Sequence, residues 1–214
     1  MMEVNLVGIL IVFGTVIGSM VLHELAHGLV AYWLGDDTAK SEGRLTLNPI
    51  KHLDPVLSVL VPVVLYMTGG PIFGGAKPVP VDSRNLKYKE WGMALVALAG
   101  PMTNFILAFI GFLIFHFAPS LAMNPVGEIF LRQLVLMNLG FGIFNLIPIP
   151  PLDGSRILYA IAPDGVRSVM LRMEAVGLIV IYILIASLGS VFSDLMGQAI
   201  QVILNFFQLI VSVL

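Results

Sequence analysis

Long apolar runs alternate with short polar ones along this chain. Five runs approach the roughly 20 residues that a helix needs to cross a bilayer core about 30 Å thick. They are Val4–Leu22, Trp91–Phe117, Gln133–Leu152, Ala175–Ser193 and Leu195–Leu214. A sixth run, Val56–Met67, is shorter; as a helix it would cover roughly 18 Å. It contains Pro62 and leads into Gly69, Gly70, Gly74 and Gly75, so it reads as a re-entrant or interfacial element. The first run begins Met-Met-Glu, with no positive leader and no small-residue cleavage site, so it reads as a retained span rather than a cleaved signal. The pattern predicts an all-α polytopic membrane protein of about five transmembrane helices. Residues 1–214 form a single membrane-embedded domain, with a core over 4–163 and additional spans over 173–214.

Composition agrees. The chain has 214 residues, 58% of them apolar and only 11% charged, against about a quarter charged in soluble proteins. A net charge of −2 provides no basic surface for nucleic acid. With no cysteine, a transition-metal site must draw on His, Asp or Glu.

The basic residues set an orientation. Lys40, Arg44, Lys51, Lys77, Arg84, Lys87 and Lys89 lie between the first two full spans, and Arg156, Arg167 and Arg172 between the third and fourth. Both segments are therefore expected inside, with the N-terminus outside and the C-terminus inside. Asp194 falls in an outer loop on this reading. Tyr32, Trp33, Tyr88 and Trp91 mark the inner boundary.

The chemistry starts at His23-Glu24-Leu25-Ala26-His27. Residues i and i+4 share a helix face, so both imidazoles can reach one ion. Two neutral nitrogens suit Zn²⁺ better than Mg²⁺ or Ca²⁺. Glu24 beside them can take a proton from an attacking water, as in the H-E-x-x-H hydrolase pattern. Ionisable residues in an apolar helix point to function, although an interfacial turn, where the helix surfaces, also accommodates them. A third ligand is needed. Asp153 stands apart from the other carboxylates because Pro148, Pro150 and Pro151 must break the third span just before it. It reads as a ligand or as the N-cap of a helix over Gly154–Ile161, two roles that need not exclude each other. If residues 56–67 do not cross, Asp153 returns to the same side as the histidines.

Taken in order, His23-Glu-Leu-Ala-His27, Ala99-Gly100-Pro101-Met102-Thr103-Asn104 and Asn145-x-x-Pro148-x-Pro-x-Leu-Asp153-Gly154 resemble the site-2 protease family of intramembrane zinc metalloproteases. The resemblance covers about residues 18–163. It implies one Zn²⁺ per chain held by His23, His27 and Asp153, with Glu24 as general base. Asn145 would bond the substrate backbone. Gly100, Asn104, Pro148 and Gly154 belong to its structural and polar core. The segment Gly74–Val81 resembles the family's inner-face β-hairpin, which makes Lys77, Pro78, Val79, Pro80 and Val81 candidates for clamping an extended substrate. The implied partner is a single-span membrane protein already cut by another protease, inside a prokaryotic cell membrane, with the active site near the cytoplasmic face. The family's PDZ and CBS additions are not expected here, and a homo-oligomer is compatible with the sequence.

Two other readings use the same residues. A metal transporter would pass its cargo through His23, Glu24, His27 and Asp153, but the outer halves of the spans supply little beyond Thr15 and Ser19. A silent relative is disfavoured by intact Glu24. Asn104 and Asn138 read as inter-helix bonds, and His52 as an interfacial loop residue.

Overall fold

The computed structural model describes residues 6–68 and 74–213. Gly69 and Gly70 of the glycine-rich stretch lie outside the described residues. Its elements are α1 (Leu6–Trp33), α2 (Thr38–Ser41), a 3₁₀ turn at Pro49–Lys51, a π-helical stretch at Pro55–Leu60 running into α3 (Val61–Thr68), α4 (Glu90–Phe117), α5 (Pro119–Ala122), α6 (Pro125–Asn145), α7 (Asp153–Ile161), α8 (Asp164–Glu174) and α9 (Gly177–Val211). Four of these, α1, α4, α6 and α9, are long and apolar enough to cross a membrane.

Local chemistry sets the boundaries. Beyond Trp33, Gly35 adopts φ +106°. Asp36 N–H then donates to Ala31 O and Gly35 N–H to Tyr32 O, a Schellman closure that β-carbon residues resist. α6 starts at Asn124-Pro125: the Asn124 side chain accepts from the Val126 and Gly127 amides, and proline occupies the first helical position. It stops at Asn145, before the proline cluster, as the sequence predicts.

α4 is the hub, packed against α1, α6 and α7. Small residues allow the approach. A β-carbon at Gly111 would meet Leu134 at 3.0 Å, and one at Gly142 would meet Phe105 at 2.7 Å. Away from the site, Ala108, Val135, Leu139 and Phe207 form a buried apolar cluster joining α4, α6 and α9.

Two sequence expectations need correction. The last two apolar runs lie in α9, which consists of two helices that meet at a kink at Leu188 (φ −121°, ψ 26°). Asp194 is an exposed residue within α9, not part of an outer loop. α9 begins with Gly177 against Pro150 and packs Phe207 on Phe109 and Phe112, with ring centroids 4.8 and 5.7 Å apart.

The β-hairpin is absent: there is no strand among the described residues. Gly74–Val81 is extended but pairs with no strand. Pro78 and Pro80 lack N–H groups. Lys77 N–H donates instead to His52 O at 2.8 Å, and Lys77 O accepts from Arg44 at 2.7 Å. The segment before it leaves and returns at one place, since Gly75 N–H donates to Leu57 O and Ser58 Oγ donates to Gly75 O. His52 is fully buried in its loop and bonds Thr46 O through Nε2.

Asp36 ties the two ends of this region together. It is fully buried and accepts from Thr38 Oγ1, the Thr38 amide, Asn85 Nδ2 and the Asp82 amide. Burial alone would raise its pKa, but these donors hold it below the ordinary carboxylate value. A carboxyl with a lowered folded pKa contributes stability above its unfolded pKa of about 3.9, and that contribution is lost as pH falls through the folded value. We expect Asp36→Asn to cost about 2 kcal/mol at neutral pH, the scale of hydrogen bonds to a charged acceptor. The difference from wild type should shrink below about pH 4. Thermal unfolding in detergent across pH checks this; a pH-independent difference contradicts it.

Candidate metal centre

His23 and His27 stack one turn apart on the buried face of α1. Their ring planes are nearly perpendicular, with centroids 4.6 Å apart. His27 Nδ1 lies 2.7 Å from Val96 O on α4. A carbonyl only accepts, so Nδ1 carries the proton and Nε2 presents its lone pair. His23 Nδ1 lies 2.7 Å from Asn104 Oδ1, also on α4. The two Nε2 atoms then face each other at 3.0 Å.

Asp153 completes the group. Its Oδ2 lies 3.2 Å from His23 Nε2 and 3.4 Å from His27 Nε2. That oxygen is buried and makes no hydrogen bond. Asp153 is the first residue of α7, and the N-cap position belongs to Leu152, so the capping alternative for Asp153 does not hold. The chain reaches this point because α6 breaks after Asn145 and Gly154 packs against Leu146: a β-carbon there would sit 2.1 Å from Leu146 O.

The donor set fits zinc. Ligand atoms around a tetrahedral Zn²⁺ at about 2.0–2.1 Å stand about 3.3 Å from one another. The three observed separations bracket that spacing. Space for an ion is kept by Gly100, where a β-carbon would lie 2.5 Å from His27 Nε2 and 2.6 Å from His23 Nε2. Among the described residues this is the one group of three or more His, Cys, Asp or Glu side chains arranged to hold a metal.

Glu24 is half-buried, and its Oε2 accepts from the Val79 amide at 2.9 Å. The extended segment therefore lies against the residue beside the histidines. Within it Val79 is buried, Pro80 and Val81 are partly buried, and Lys77 and Pro78 are exposed. Asn145 is partly buried and donates to Phe141 O at 3.0 Å. Pro148 is exposed in the turn that follows.

Sequence reading placed Asn104 at a helix contact but missed its bond to His23. It also missed that Asn138 and Ser19 connect to Asn104. Ser19, His23 and His27 recur every four residues on one face of α1, which was the available signal.

A bundle of apolar helices that closes two imidazoles and a carboxylate around an ion-sized space, with an acid alongside, defines a membrane-embedded metallohydrolase. Comparison with known proteins agrees. The family model described as peptidase family M50 matches residues 122–188. YwhC of Bacillus subtilis (strain 168) is 44% identical over 183 residues, spanning 82% of this chain and 80% of that protein. Rip2 of Mycolicibacterium smegmatis is 37% identical over 139 residues, 64% of this chain and 51% of its own length. MJ0392 of Methanocaldococcus jannaschii is 32% identical over 143 residues, 67% of this chain and 32% of its own. All three are named as zinc metalloproteases. No solved structure matches the chain. The chain belongs to peptidase family M50. It is accordingly a metalloprotease and an integral membrane protein; zinc is the metal of its relatives' names, and the donor set here suits that ion.

Proposed function

We propose that the chain is an intramembrane zinc endopeptidase that cuts transmembrane segments of membrane proteins, in the manner of regulated intramembrane proteolysis. His23, His27 and Asp153 hold one Zn²⁺. The observation that carries this is the pair of imidazole Nε2 atoms at 3.0 Å with an unpartnered buried carboxylate oxygen beside them. Lone pairs facing each other repel, and a cation between them removes that cost. When bound, the ion supplies Lewis acidity at the scissile carbonyl and lowers the pKa of water.

The chain's own residues do the rest. Glu24 accepts the proton of the attacking water and delivers it to the leaving amine. A helix hides its amides, so the substrate enters unwound. It lies along Lys77, Pro78, Val79, Pro80 and Val81, whose segment adjoins Glu24 through Val79. Lys77 and Val79 have their amides engaged by His52 and Glu24, so carbonyls of this segment are the main acceptors offered to a substrate. Asn145 turns from Phe141 O to the substrate backbone. The distribution of basic residues supports a site near the cytoplasmic face of a prokaryotic membrane, with the first residues of α1 outside. The substrate is a single-span protein previously trimmed by another protease.

The test is metal content. Purified protein should carry about one zinc per chain, and Asp153→Ala should lose zinc affinity by about 100-fold or more, since a catalytic zinc rests on three protein ligands. Full occupancy in that variant would assign the third ligand elsewhere.

A further inference from the structure

The amide groups of Asn104 and Asn138 sit in the middle of an apolar bundle, each fully buried. They join helices α1, α4 and α6. A structural bridge between helices needs only that the two amides meet; either orientation of the pair would serve. The observed arrangement has a fixed direction, and that direction ends at His23.

It starts at a backbone carbonyl. Asn138 lies 2.8 Å from Leu134 O, which can only accept, so the atom facing it is the Nδ2 amine. The same Nδ2 donates to Ser19 Oγ at 2.9 Å. Both Asn138 protons are thereby committed, and Oδ1 faces Asn104. Asn104 must meet it with Nδ2, at 2.8 Å. Its own Oδ1 is then left toward His23 Nδ1, at 2.7 Å. An amide oxygen only accepts, so His23 carries its proton on Nδ1. Its Nε2 keeps a free lone pair directed at His27 and Asp153.

We infer that Asn138, together with Asn104, is a positioning residue: the chain from Leu134 O through the two amides selects the Nδ1–H tautomer of His23 and aims its Nε2 at the metal. The inference rests on the reading of His23 as a zinc ligand. His27 needs no such device, because Val96 O fixes it directly. Partners of this kind on the far nitrogen of a ligating histidine set its tautomer, orientation and basicity. Here no carboxylate takes that role, and neutral amides avoid burying a charge in the bilayer. Ser19 is a secondary acceptor, since Leu134 O alone is enough to orient Asn138.

The experiment combines a metal-free spectrum with a zinc titration. Full-length protein labelled with ¹⁵N-histidine is purified in detergent and stripped of metal, and the His23 signals are assigned by their loss in His23→Gln. Wild type should show His23 protonated on Nδ1, where the Asn104 oxygen accepts. Asn138→Leu frees Asn104 to rotate; it should mix the tautomers and raise the zinc Kd, read by chelator competition, by about 10–100-fold. Asn138→Asp, buried and neutral, keeps an acceptor for Asn104 and one O–H for Leu134 O. It should retain both the tautomer and the zinc affinity to within about threefold, and Ser19→Ala should do the same. A purely structural role would make Asn138→Leu lose stability with the tautomer unchanged.

An Nε2–H tautomer in wild type overturns the inference. So does a folded Asn138→Leu with wild-type tautomer and Kd. If Asn138→Leu does not fold, the wild-type spectrum and Asn138→Asp decide. Wild type that shows the Nδ1–H tautomer yet binds no zinc would count against the zinc reading and not against the amide chain.

Discussion

Glu24→Gln is expected to keep its zinc and to slow cleavage of a helical membrane substrate by about 10²–10⁴-fold, the range supplied by general acid–base groups. The replacement is close to isosteric. Its amide oxygen can still accept from the Val79 amide, as Glu24 Oε2 does at 2.9 Å. The contact between α1 and the extended segment therefore survives, and so do His23 and His27. Only the capacity to accept a proton is removed. Single-turnover cleavage in detergent or liposomes, with zinc content measured on the same sample, separates the two effects. Unchanged cleavage removes Glu24 from the mechanism, and loss of zinc would assign it a structural part instead.

Gly100→Ala is expected to reduce zinc affinity at least about 100-fold, more than the loss of a ligand's hydrogen-bond partner typically costs. The added methyl would sit 2.5 Å from His27 Nε2 and 2.6 Å from both His23 Nε2 and Cε1. Neither ring can retreat freely, because Val96 O holds one and Asn104 the other. The methyl thus takes the place of the ion. Contacts this short require one or both rings to shift even without metal, so the metal-free variant should unfold at a lower temperature than wild type, an effect that alanine's better helix propensity only partly offsets. A variant that binds zinc normally would place the ion away from Gly100.

The ligands were readable in the chain because their chemistry is local. His23, Glu24 and His27 need only helical spacing, and Asp153 is marked by the three prolines that end α6 at Asn145. Their meeting followed from counting crossings, and the bundle brings Asp153 Oδ2 to within 3.4 Å of both rings. What escaped depends on packing between helices. Asn138 reaches Asn104 because Gly111 and Gly142 set the register of α4 on α6, a close fit that no single helix reveals. The expected hairpin at Gly74–Val81 failed for a local reason: two prolines remove donors, and the flanking amides turn to His52 and Glu24. Asp194 lies within α9 and not in a loop because a stretch without proline, Ser190 to Asp194, does not stop a helix when its polar side chains can remain exposed.

The central claim is that side chains from α1 and α7 share one ion. X-ray absorption at the zinc edge of the purified, zinc-loaded protein tests it most directly. A shell of two imidazole nitrogens and light oxygen ligands at about 2.0–2.1 Å, losing one oxygen contribution or the metal itself in Asp153→Ala, is the predicted result. An all-oxygen shell without imidazole scattering, or a spectrum that Asp153→Ala leaves unchanged, would contradict it.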